Sequence, residues 1–319
     1  MTPTSALPRR TAARPRRRCP VSDERSPGSL LAGPGAAPPR AVGRSSSAPR
    51  PADRAGPAPG APAGGAADQA VLFTAHGPLL PGLGRDLYGT FRTFAATWNE
   101  VAEALDLWLP LPLAAVVFAP REGVDAALIR DTAFAEPALF AYQVALFRVW
   151  ESWGMQARAV AGHAAGEISA AYLAGALDLD DAARLVVARG RLAHGDAPHK
   201  TRAASEKRFL RVAKGCRVNA PGLTLICATT GDLLGPRPGE RTLTAEHFLH
   251  QARATPSPAA AQSTLEAAGF PRTHPCGPDA RSTALGSEVD SVLASLGRLH
   301  DHGHPISWPR VFAEATPPA

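Results

Sequence analysis

Cysteine is scarce in this chain: four in 319 residues, Cys19, Cys216, Cys227 and Cys276, with no CxxC pair among them. That argues against a disulfide-framed scaffold and against a Cys-pair zinc or redox centre, and makes a reducing cytoplasm the expected compartment. Long hydrophobic runs are missing too. No window of about 18 uninterrupted apolar residues exists, so no membrane span is expected. The Arg-rich start is not followed by the apolar stretch of a secretory signal. Residues 1–69 also lack lysine and aromatic rings. Such a segment buries too little apolar area to offset its chain entropy, and a disordered tail over residues 1–70 is expected.

The charge is lopsided. Eleven Arg against Asp23, Glu24, Asp53 and Asp68 give residues 1–69 a net +7, the whole chain is +6, and the remainder therefore stands at −1. The high pI belongs to the tail and implies no basic surface on the folded part. Arginine alone attracts nucleic acid or anionic lipid only without specificity. No nucleic-acid-binding module accompanies it, so no nucleic-acid or membrane partner is expected. The many prolines also argue against the amphipathic helix of a transit peptide.

From Val71 onward the composition becomes that of a packed domain. Val71-Leu72-Phe73 reads as a short buried strand, followed by a Gly/Pro loop from His76 to Gly84. Residues 85–106 place Leu87, Phe91, Phe94, Trp98, Val101 and Leu105 at helical steps of three or four. A buried helix is predicted over 137–153, with Pro137 in its first turn and Gly154 at its stop. Then come a strand at Ala159-Val160-Ala161, a tight turn from Gly162 to Gly166, and helices over 167–174 and about 179–192. Alternation of this kind predicts an α/β fold with a parallel sheet and flanking helices. Residues 193–208 are polar, Leu223 to Ala228 form a strand candidate, and 287–299 an amphipathic helix.

The turn Gly162-His163-Ala164-Ala165-Gly166 has the frame of a nucleophile elbow, G-x-S-x-G. In such a frame the central residue is thrust out at the carboxyl edge of the sheet. The next helix points its free N–H groups and partial positive charge at the same spot. An oxyanion there is stabilised by the N–H of the following residue, here Ala165. The centre needs an oxygen or sulfur nucleophile, and Ala164 has neither.

The continuation gives the turn its context. Glu167-Ile168, Ala170-Ala171-Tyr172, Ala174-Gly175, Asp181-Ala182-Ala183-Arg184-Leu185 and Arg189-Gly190-Arg191-Leu192 follow in order. The run resembles the acyltransferase domain of modular polyketide synthases, with its GHSxGE, AG, DAARL and RGRL landmarks. Upstream, Glu136-Pro137-Ala138-Leu139-Phe140 is similar to that family's QPALF, and Pro81 to Tyr88 to its GMGRELY segment. Downstream, Thr229-Thr230-Gly231, Gly277 to Arg281, Gly297 to His300 and Trp308-Pro309 also agree.

The resemblance implies transfer of a malonyl-type group from coenzyme A to a serine and on to the phosphopantetheine of an acyl carrier protein. It implies no bound cofactor and no metal, and partnership with other polyketide synthase domains. It places the nucleophile at Ala164, where serine is lost. It places the Arg that pairs with the malonyl carboxylate at Arg189, 25 residues on. A guanidinium suits that task because its fork matches a carboxylate. Without the resemblance, Arg189 reads as a surface helix arginine. The oxyanion hole falls to Ala165 and to His76, which stands where the family has the Gln of a GQG turn. The catalytic His belongs in a loop after an LRV strand. Phe209-Leu210-Arg211-Val212 is the candidate strand, but Asn219-Ala220-Pro221 follows within a few residues and no His is found.

The ferredoxin-like small subdomain, which in the family follows the RGRL helix, is reduced here to residues 193–208. The expected organisation is therefore a tail (1–70), an acyltransferase-like domain internally deleted near 193–216 (71–286), and a C-terminal helix and linker (287–319). Without nucleophile and base the ordinary route loses on the order of 10⁶-fold in rate. Three readings follow: an inert family member, a non-catalytic module that binds acyl-CoA or a carrier protein through Arg189, or a decayed fragment. Two histidine groups have spacings that zinc can use. His300-x-His302-x-His304 would share one face of a strand, and His247-x-x-His250 one side of a helical turn. The first lies in a stretch resembling the family's exit linker and no Cys or carboxylate cluster joins it, the second is a bare short motif, and neither is taken as a metal site.

Overall fold

The computed structural model describes residues 69–74, 79–120, 123–193, 199–254, 257–278 and 287–314. The basic tail, His76 and the second part of the Gly277 to Arg281 landmark, from Asp279 on, lie outside them.

Five strands form one sheet in the order β4-β3-β2-β1-β5. They are β1 (Gln69–Phe73), β2 (Ala159–Gly162), β3 (Thr224–Cys227), β4 (Leu233–Leu234) and β5 (Arg272–Cys276). β5, β1, β2 and β3 run parallel, and β4 closes the far edge antiparallel. Phe73 is in register with Gly162 on one side and Cys276 on the other, and Gly162 with Cys227. Four strands thus end level at one carboxyl edge, where parallel sheets place their sites.

Alternation along the strands sorts side chains to two faces. Val71, Phe73, Val160, Leu225 and Cys227 join the larger core, while Ala70, Ala159, Ala161 and Ile226 meet Ala261, Leu265 and Phe270 on the other side. The larger core is built around α4 (Thr132–Ser152), a helix buried on nearly every side, with Phe140, Phe147 and Trp150 fully enclosed. Helix α5 (Ala165–Leu173) follows β2, and α6 (Leu179–Ala193) packs along α4. Helix α8 (Ala245–Arg253) lies beyond β4, α9 (Pro258–Ala267) covers the small-residue face, and α10 (Glu288–Asp301) and α11 (Trp308–Glu314) end the chain. Val292, Leu296, Leu299 and Val311 of the last two helices are buried in the main core.

The structure departs from the sequence expectations in several places, first at the tail bound, since Gln69 and Ala70 are buried in β1 rather than part of the tail. The 85–106 run divides into α1 (Arg85–Thr90) and α2 (Arg92–Asp106), because Gly89-Thr90 is a weak helical pair and extended Phe91 inserts its ring against Trp153 at 5.2 Å. Between α2 and α4 lie α3 (Leu113–Val117) and a 3-10 helix over Val124–Arg130. Helix α4 starts at Thr132, not Pro137: Asp131 caps it by accepting from the Ala133 N–H at 2.9 Å, and Pro137 sits inside. Phe209 to Val212 are helix rather than strand, within α7 (His199–Lys214), where Phe209 and Ala213 bury one face and Arg202 pairs with Glu206 one turn on. Strand β5, with Pro275 at the sheet edge, has no clear periodic signature in the sequence. The described residues hold a single sheet, and no second, ferredoxin-like one is among them. No helix among them is long and apolar enough to cross a membrane.

Candidate active site

Strand β2 ends at Gly162, and two residues later the chain turns into α5. The bend between them is held by the backbone: the His163 N–H donates to the Phe73 carbonyl at 3.0 Å, and the Gly166 N–H to the His163 carbonyl at 2.7 Å. At its apex Ala164 has φ 50° and ψ −121°. It is the only non-glycine residue with positive φ among the described residues, in a region costing on the order of 1–3 kcal/mol. Both elbow glycines are dictated by space. A Cβ on Gly162 would stand 2.3 Å from the Gly166 carbonyl oxygen.

A polar chain surrounds the apex. Gln251 of α8 donates through Nε2 to the Ala164 carbonyl at 3.1 Å and to Thr229 Oγ1 at 3.3 Å. Thr229 Oγ1 in turn accepts from the Ala164 N–H at 3.4 Å. Arg189 of α6 donates from Nε to Gln251 Oε1 at 3.5 Å and pairs through Nη1 with Glu136 Oε1 of α4. Arg189 is buried, so the reading of it as a surface arginine fails. Burial pushes the Glu136 carboxyl above its usual range, and the Arg189 guanidinium opposes that shift. Ala164 presents only a methyl group. The side chains bonded to its backbone, Thr229 and Gln251, do not take up a proton near neutral pH.

One group among the described residues has the donor set for a metal. Glu167, Cys227 and His247 are buried, with one ligand atom of each within 4.8 Å of the others. His247 Nε2 stands 2.7 Å from Glu167 Oε1, so imidazole and carboxylate already satisfy each other there. Burial first, then the neighbouring Glu167 carboxylate, pushes the Cys227 thiol up to about 12.

The structure therefore brings Ala164, Ala165, Gly162, Gly166 and Arg189 into one place, while His76 lies outside the described residues. The two histidine groups do not form as the spacing suggested. His247 is buried and His250 exposed, so they do not converge. His300 lies in the last turn of α10, while His302 and His304 clasp the amide of Gln69, at 3.3 and 2.9 Å. Sequence reasoning missed Glu136, Gln251 and Thr229 as neighbours of the elbow. For Glu136 a signal existed: an acid in the place of the glutamine of QPALF.

The acyl transferase domain family matches residues 72–232. Polyketide synthase GfsA of Streptomyces halstedii is 50% identical over 121 residues, which are 38% of this chain and 2% of GfsA. Phenolphthiocerol synthesis polyketide synthase type I Pks15/1 of Mycobacterium marinum is 48% identical over 130 residues, 41% of this chain and 6% of that protein. The chain thus spans a small part of the curated relatives it matches. Among solved structures, the acyltransferase domain from the second module of the salinomycin polyketide synthase superposes with a TM-score of 0.65 at 24% identity, covering 77% of this chain and 76% of that one. That likeness bears on the fold. The family match takes in just over half of the residues, elbow included, and the chain belongs to the acyl transferase domain family.

Proposed function

We propose that this chain is a non-acylating member of its family. The observation that carries the reading is the apex itself: the elbow conformation is kept at Ala164, yet the atom that would form the acyl bond is missing. Covalent acyl transfer needs a nucleophile and a base within hydrogen-bond reach of it. Here the apex is a methyl group whose polar neighbours are an amide and a hydroxyl. The family reaction, transfer of a malonyl-type unit from coenzyme A to an acyl carrier protein, supplies the ligands to be tested: acyl-CoA, a phosphopantetheinylated carrier protein and neighbouring synthase domains. Cytoplasmic residence and the absence of a cofactor belong to the same reading.

The test is incubation of the full chain with malonyl-CoA followed by intact-mass measurement. The expected spectrum shows the unmodified protein. A stoichiometric malonyl adduct overturns the proposal. The alternative, a module that holds a carboxylated acyl-CoA through Arg189, has the enclosed Arg189 in its favour, and the state of that arginine decides how far it reaches.

A further inference from the structure

Arg189 already has a carboxylate. Its Nη1 is paired with Glu136 Oε1, and both side chains are largely enclosed, 9% and 15% exposed. Nε of the same guanidinium is spent on Gln251. The other carboxyl oxygen, Glu136 Oε2, is buried without a hydrogen-bond partner. An oxygen left this way is costly, and an acyl group bringing a second carboxylate would add like-charge repulsion beside it.

We infer that Glu136 is an internal substitute for the substrate carboxylate, so that the site refuses carboxylated acyl thioesters and discriminates by charge against malonyl-type groups. The inference rests on the reading that Arg189 stands where the acyl carboxylate would bind. The geometry favours it over a merely structural pair in one respect. The pair is wired to the apex, through Arg189 to Gln251 and through Gln251 to the Ala164 carbonyl. A neutral amide at 136 would leave the guanidinium its charge and its link to Gln251 while removing the competing anion. Electrostatic competition of this kind, at a partly enclosed site, is worth at least about tenfold in affinity.

The test is calorimetric titration of the full-length protein with malonyl-CoA and with acetyl-CoA, which differ by one carboxylate. For the unaltered chain the expected result is binding of acetyl-CoA at least as tight as that of malonyl-CoA. Tighter binding of malonyl-CoA than of acetyl-CoA overturns the inference. In Glu136→Gln, malonyl-CoA is expected to gain at least tenfold while acetyl-CoA does not change, and the gain is expected to vanish in Glu136→Gln/Arg189→Ala. A Glu136→Gln protein that melts cooperatively and shows no such gain also overturns it. Should that variant fail to fold, the order of the two affinities on the unaltered chain decides, and binding of neither thioester overturns the inference. Failure of the non-acylating reading appears separately, as a mass adduct.

Discussion

The carbonyl oxygen of Phe73 lies 2.4 Å from the point that a Cβ on Gly166 would occupy. Backbone of β1 and the first turn of α5 are in contact there, with no side chain between them. Gly166→Ala is therefore expected to destabilise the fold by ~3 kcal/mol, because neither partner is a flexible side chain that can swing away. Urea denaturation of the two proteins checks it, and a change below about 1 kcal/mol would show that α5 can retreat from the strand.

Ala164 offers the opposite case. Its φ of 50° is a conformation that glycine adopts freely. Ala164→Gly is expected to raise stability by ~1 kcal/mol, the relieved strain exceeding the entropy that glycine adds to the unfolded chain. A lower melting temperature would contradict this.

Restoring the hydroxyl alone is expected to restore little. Ala164→Ser places an alcohol at the apex beside Thr229 and Gln251, with no base among its bonded neighbours. No burst of acyl-enzyme is expected when it is mixed with malonyl-CoA, since a serine without its base falls short by orders of magnitude. Rapid-quench mass measurement reads the outcome.

Breaking the Glu136–Arg189 pair from one side leaves the other charge enclosed. Glu136→Ala and Arg189→Ala are each expected to cost about 3–5 kcal/mol, and the double variant clearly less than their sum. A double-mutant cycle by denaturation checks this. Additive losses would mean that the two side chains stabilise the fold independently.

Acid sensitivity should trace to His274. Burial beneath Trp150, helped by the positive charge of Arg298, holds its pKa down at about 3 against an ordinary 6.5. The folded chain keeps the imidazole neutral while the unfolded chain takes up a proton below pH 6.5. The stability it contributes is thus full above pH 6.5 and is lost progressively as pH falls towards 3. Between about pH 7 and 4.5 the loss from this group is expected to be ~2–3 kcal/mol. Buried His304, also shifted down, acts in the same direction. His274→Gln should flatten this limb when stability is followed against pH, and an unchanged slope would remove His274 as its source.

Local patterning made the strands around the elbow, the elbow and the helices that follow it legible in the sequence. Gly162 and Gly166 announce a close backbone approach, and Val71 to Phe73 announce a buried strand. What escaped was what depends on distant partners. Phe209-Leu210-Arg211-Val212 has strand-like content, but helix-forming neighbours and the i,i+4 burial of Phe209 and Ala213 prevail. Thr132 to Glu136 became helix because Asp131 caps them, which outweighs the missing N–H of Pro137. The pairing of Glu136 with Arg189 joins residues 53 apart, and no spacing rule links them. Gln251 was invisible for the same reason: its place beside Ala164 depends on how α8 packs.

Gln143 is buried in the middle of α4, yet it is fully engaged. Its Nε2 reaches the carbonyls of Thr74 and Cys276, just past β1 and at the end of β5, and its Oε1 accepts from Ser169 on α5. One amide thus knots the exits of two strands to the helix behind the elbow. The bend is braced from the interior of the domain as well as by Gln251 and Thr229, so a change of side chain at Ala164 leaves the supports of its backbone in place.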